Sequence, residues 1–226
     1  MRHQPVFWLF EFLRIINMRI KLPLIATLFL LITSVGHIHA QDDKYHLGFR
    51  GGVGMTTISG VENNGLKLGV TGGVCGKYTL SEKSDIEAEL NYTMGGLQST
   101  KWITTGETEV KEDRKYTLHY VSIPVLYQYY FTDILGLEAG ANFSYCFSGS
   151  LKKKYGNEQW HSESFSTQNY NTFDFGLILG VYTDNLIPHD NMFVSLRACF
   201  GMLDVLKDNG SNKNINILIS VGYMLF

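Results

Sequence analysis

Proline and cysteine are scarce in this chain of 226 residues, at 4 and 3, and neither sign of charge predominates, the formal balance being -2. Each scarcity excludes something. A near-neutral chain has no basic excess with which to hold nucleic acid. An odd number of cysteines leaves at least one unpaired within the chain, and Cys75, Cys146 and Cys199 each fall in an apparent strand far from the others, so they read as small packing residues. The extended apolar run from about Leu22 to Val35 is too short to cross a bilayer as a helix. There is no Gly-rich phosphate loop between a strand and a helix, and no His, Cys, Asp or Glu set with metal-ligand spacing, so neither a metal nor another cofactor is expected.

That apolar run follows Arg19 and Lys21 and precedes Ala40, the layout of a secretory signal peptide cleaved after Ala40. The expected division is therefore a signal over 1–40 and one domain over 41–226. Met18 opens a complete signal by itself and is the expected start.

What the chain has in quantity is glycine, at 23, and a two-residue rhythm. In "GLEAGANFSYCF" (136–147) one series is Leu137, Ala139, Ala141, Phe143, Tyr145 and Phe147, and the other is Gly136, Glu138, Gly140, Asn142, Ser144 and Cys146, the signature of a strand with two unlike faces. The rhythm recurs near 45–58, 66–80, 85–98, 115–131, 134–149, 172–184, 190–203 and 213–226. Intervals alternate between short turns (81–84, 132–133, 185–190) and longer polar loops (59–65, 99–114, 150–171, 204–212). An even number of strands with short turns at one end and long loops at the other predicts an all-β, eight-stranded antiparallel up-and-down transmembrane β-barrel with both termini on the periplasmic side.

The direction of the faces follows from what they carry. Glycine recurs in the polar series, where it suits a crowded lumen, while Phe173, Phe175, Leu177, Leu179, Leu196, Phe200, Ile217 and Ile219 give the other series its bulk. Bulk outward and small or polar groups inward describe a barrel in lipid; a soluble barrel reverses them. Arg50, Lys67, Lys77 and Arg197 share the polar phase with Glu87, Glu89, Glu138 and Asp174, so an ion-paired plug is expected, with Glu87 and Glu89 meeting Arg50 or Arg197. Tyr45, Tyr78, Tyr127, Tyr129, Phe131 and Tyr223 fit interfacial girdles.

"YHLGFRGGVGMTTISG" (45–60) resembles the opening strand of the PorT-like outer-membrane β-barrel proteins, often called porin family, and "HYVSIPVLYQYYF" (119–131) resembles their central strand. Ser122 and Gln128 stand where that family usually has Glu and Lys, and Pro124 suggests a bulge. The chain closes on Phe226, as such barrels commonly do, although Phe226 is out of phase with Val221, Tyr223 and Leu225. The resemblance implies a protein of the Gram-negative outer membrane, inserted by the barrel-assembly machinery and monomeric, and for some members a part in protein secretion.

Function in such a scaffold belongs to the loops. Lys152, Lys153 and Lys154 with Trp160 in one loop and Trp102 in another are the candidate binding residues, for lipopolysaccharide phosphates or for an envelope or surface protein. Catalysis is not expected: His161, Ser162, Glu163 and Ser164 share one loop, His119 lies in an apolar phase, and nothing fixes a nucleophile beside an oriented base. A non-catalytic envelope protein and a small passive pore both remain open at this point.

Overall fold

The computed structural model describes residues 44–61, 63–105, 108–156, 158–163, 169–184, 191–207 and 211–225. The expected signal, its Met18 start, the 185–190 turn, Ser164 and Phe226 lie outside the described residues. Eight strands carry the sheet: β1 (Tyr45–Ile58), β2 (Lys67–Ser81), β3 (Ser84–Thr105), β4 (Thr108–Tyr130), β5 (Gly136–Tyr155), β6 (Phe173–Asp184), β7 (Met192–Gly201) and β8 (Asn214–Met224). Each pairs antiparallel with its neighbours in sequence, and β8 pairs with β1, so the sheet closes on itself.

Closure leaves no edge along the barrel wall, which is what a hydrocarbon surround demands, because an unpaired N–H or C=O has no water to bond there. The pairs Leu47–Gly76, Gly76–Ala88, Ala88–Val125, Val125–Ala141, Ala141–Leu177, Leu177–Phe200, Phe200–Ile215 and Ile215–Thr57 run once around the barrel. They return to β1 ten residues above their start, from Leu47 to Thr57, a stagger that tilts the strands by roughly 35–45°.

Phe49, Val53, Leu137, Phe143, Leu179, Leu196, Ile217 and Ile219 face outward, about half exposed. The opposite phase holds Arg50, Glu87, Glu89, Glu138 and Arg197 buried. The lumen is also more apolar than the glycine-rich phase predicts, since Leu126, Ile178, Cys199 and Leu218 cluster inside it. Two aromatics account for particular glycines: the Tyr182 ring covers its cross-strand partner Gly136, and the Phe193 ring covers Gly222. A Cβ at either glycine would run into the ring.

Three strands differ from the sequence expectation. β3, β4 and β5 run well past their expected ends, so 99–114 is for the most part a continued hairpin, and Lys152 to Lys154 lie on β5. Beyond the apolar belt polar residues predominate on both faces of these strands, with Trp102, Ile103 and Val110 as exceptions, so the alternation that marks a strand in lipid is lost while the ladder continues. A three-residue strand, His161–Glu163, pairs with β5, and a two-residue strand, Asn64–Gly65, pairs with β3. Pro124 produces no bulge. The β3–β4 ladder omits Glu89 and Leu90 opposite Pro124 and Ile123 and resumes in the same register, as a missing N–H requires. The bulge between β4 and β5 is at Phe147, where the register shifts between His119 and Tyr120. It reverses the phase of β5, so that Cys146 and then Leu151 point inward.

Candidate functional site

Arg197, on β7, reaches across the lumen to strands on the far side. Its Nε donates to Glu138 Oε1 at 2.5 Å and its Nη2 to Glu138 Oε2 at 2.8 Å, a forked pair. Nη1 donates to Glu89 Oε1 at 2.5 Å and Nη2 also to Glu87 Oε1 at 3.1 Å. Arg50 on β1 meets Glu89 Oε1 at 2.5 Å and Glu87 Oε1 at 3.5 Å, and donates to Ser195 Oγ at 2.6 Å. Gln128 Nε2 bridges Glu87 and Glu138 at 3.2 and 3.1 Å. Buried charges persist only when paired and hydrogen-bonded, and here two guanidiniums answer three carboxylates, with the Gln128 amide as a neutral donor between two of them. Ser195 and Asn91, which donates to Glu89, are not singled out by the sequence, and Gln128 stands out there only as a departure from the resembled family's Lys, although all three occupy the lumenal phase.

Toward the end of the barrel where β1 begins and β8 ends, Lys77 Nζ lies 2.9 Å from Asp184 and 3.7 Å from Asp85, and Tyr130 joins the same acids. These residues border a vestibule of about 360 Å³. Asp85 and Asp184 were also missed; Asp85 sits two residues before Glu87, in its phase. On the other side of the ion network a chamber of about 60 Å³ is lined by Asn91, Ser122, Asn142 and Asp174 together with Tyr120, Ile178 and Leu218, room for a few waters. Asp174 stands apart from this ion network: its side chain accepts from Asn214 Nδ2 at 2.8 Å, and no cation pairs with it among the described residues. Lys67 is likewise bound elsewhere, by Gly95 O at 3.1 Å and Thr117 Oγ1 at 2.8 Å. Beyond the chamber, toward the opposite mouth, Ile58, Leu97, Leu118, Tyr120, Tyr170 and Leu206 form an apolar cap, tied by a Tyr170–Leu206 bridge.

Outside the cap stands the extension of β3, β4 and β5. On its inward face Arg114 and Lys153 are cross-strand partners, with Glu112 Oε2 2.5 Å from Arg114 and Glu163 2.7 Å from Lys153. Burial alone would raise Glu112, but the Arg114 hydrogen bond and the charges of Arg114 and Lys153 outweigh it and hold the carboxyl below its usual range. The Glu163 bond holds the Lys153 ammonium above its own. The outward face carries Trp102, which pairs with Lys111, and Lys115, Lys152 and Lys154. Trp160 lies 4.3 Å from the Lys115 ammonium, a cation–π contact. The candidate loop residues are thus divided: Lys153 turns inward, Lys152 and Lys154 outward, and Trp102 is on β3.

Fifty-nine chains of solved structure match this one. Neisserial surface protein A is 11% identical, with a TM-score of 0.48, covering 78% of this chain and 96% of its own. Ail of Yersinia pestis is 14% identical, with a TM-score of 0.39, covering 80% and 99%. The amino-terminal β-barrel domain of Pseudomonas aeruginosa OprF is 8% identical, with a TM-score of 0.34, covering 79% and 97%. A search of the curated proteins found no match. Residues 39–207 match the outer membrane protein beta-barrel domain, most of the chain. With a closed eight-stranded sheet whose apolar face looks outward, the chain belongs to the family of outer membrane protein beta-barrel domains and is an integral protein of the Gram-negative outer membrane.

Proposed function

We propose that this protein is a non-catalytic barrel with a sealed lumen, whose work is done by the extension of β3, β4 and β5 at the cell surface, as a binding or structural element or as an accessory to envelope assembly or secretion. The observation that carries the reading is the Arg197 side chain, bonded at once to Glu87, Glu89 and Glu138 across the bore. A channel for solutes needs a continuous aqueous path, and the ionic plug and the apolar cap stand in series across it. Part of the PorT-like central strand is answered by this arrangement, since Gln128 occupies the family's lysine position directly between two carboxylates. Residues 1–40 are read as the export signal, the barrel-assembly machinery as the partner in insertion, and the monomer as the working form.

The non-catalytic reading is supported by what engages the histidines. His119 Nδ1 is 2.7 Å from Tyr92 Oη in an outward aromatic group, and His161 is 3.9 Å from Glu158 at an exposed position. His161 and Ser162 are successive strand residues and so face opposite ways. The test is conductance in planar bilayers: the purified protein should insert without a stable, reproducible open level. A steady unitary conductance would favour the passive pore instead.

A further inference from the structure

On the outward face of the extension one row of cross-strand partners reads Gln98, Lys115, Lys152, Ser162. Two ammoniums thus stand directly opposite one another, flanked by an amide and a hydroxyl. Like charges in that relation repel and destabilise a sheet. Elsewhere in the extension the repulsion is answered: Arg114 and Lys153 have Glu112 and Glu163, and Lys111 has Asp113 at 3.2 Å. Among the described residues no carboxylate lies within 4 Å of the Lys115 or Lys152 ammonium. Lys67, whose ammonium donates to Thr117 Oγ1 two residues from Lys115, adds a third positive charge near the row. Trp160 covers the Lys115 ammonium on one side.

The height of the row says what could answer it. The outward aromatic group of Tyr92, His119 and Phe147 adjoins the apolar belt. Lys115 is four residues above His119 on β4, which at the rise and tilt of a barrel strand is about 10 Å. That is the level of lipid head groups, just outside the hydrocarbon.

We propose that the Lys115–Lys152 row binds the phosphate groups of the phosphorylated glycolipid of the outer leaflet, with Gln98 and Ser162 as neutral donors and Trp160 as an amphipathic wall at the interface. This rests on reading the extension as the extracellular surface element. Bound phosphate would relieve the like-charge pair and anchor the base of the extension to the membrane surface.

The test uses the full purified chain in detergent, with bound lipid counted by native mass spectrometry against three probes: lipid A with its phosphates, dephosphorylated lipid A, and inorganic phosphate. Wild type should prefer the phosphorylated lipid by about tenfold or more. The Lys115→Gln/Lys152→Gln double variant should lose that preference, and Lys111→Gln, two rows higher on the same face, should keep it. Displacement of the lipid by millimolar inorganic phosphate would overturn the assignment to a lipid. An undiminished preference in the double variant would overturn the row. If the double variant does not refold to the heat-modifiable form, the wild-type comparison decides alone, since equal binding of the two lipids overturns the proposal. Conductance by wild type would refute the sealed lumen and leave this row standing, so the two readings fail separately.

Discussion

Arg197 holds three carboxylates, and truncating it leaves all of them buried with Arg50 as the one remaining guanidinium. Arg197→Ala should lower unfolding stability by about 3–5 kcal/mol, the cost of breaking a buried ion pair from one side, measured as the urea midpoint of the heat-modifiable band. Gln128→Lys should move that midpoint the other way, because it places a third cation between Glu87 and Glu138 where the amide now bridges them. Gly222→Ala should cost about 1–3 kcal/mol by driving the Phe193 ring from its place over the strand. Arg50, Glu87, Glu89, Glu138 and Arg197 could be picked out because each stands in a lumenal phase beside strongly apolar neighbours of the other phase. Their partners Gln128, Ser195 and Asn91 were less legible, since a neutral polar side chain in that phase does not distinguish a plug from a wet channel.

At the scale of elements the extension is the part that sequence pattern conceals. Trp102 and Lys111 are partners on β3 and β4, yet around them both faces are solvated and no two-residue hydrophobic rhythm survives. The bulge at Phe147 is hidden for a related reason: one extra residue exchanges the faces of β5, so that Lys153 turns inward where the earlier phase would have turned Lys152 and Lys154 inward. The inward ion group of this element has a defined pH window. Glu112 is held below its ordinary value of 4.5, so its contribution is present above that pH and is lost as pH falls through the folded value. Lys153 is held above its ordinary 10.5, so its contribution is complete below that pH and is lost as pH rises through its folded value. Protease nicking of the hairpin in intact liposomes should therefore be slowest between about pH 5 and pH 10 and should quicken at pH 3, while the barrel band is retained. Joining Ser99 to Arg114 by a two-residue turn should likewise leave a barrel that inserts and resists detergent, because the closed sheet beneath does not depend on the hairpin above it.

For the whole molecule, closure of the sheet, the lumenal ion network and the outward apolar face are one arrangement. The stagger that closes the sheet brings Arg50, Glu87, Glu89, Glu138 and Arg197 to one level of the bore, and a bridge from Tyr170 to Leu206 joins two loops beyond it. All of this requires that the bulky series face lipid. The most direct measurement is paramagnetic collision in liposomes with single spin labels in a background lacking the native cysteines. Labels at Phe175, Leu196 and Ile217 should collide freely with oxygen and hardly at all with a water-soluble nickel chelate, whereas labels at Ser195 and Ser220 should be shielded from both. Shielded labels at 175, 196 and 217 with exposed ones at 195 and 220 would contradict the account.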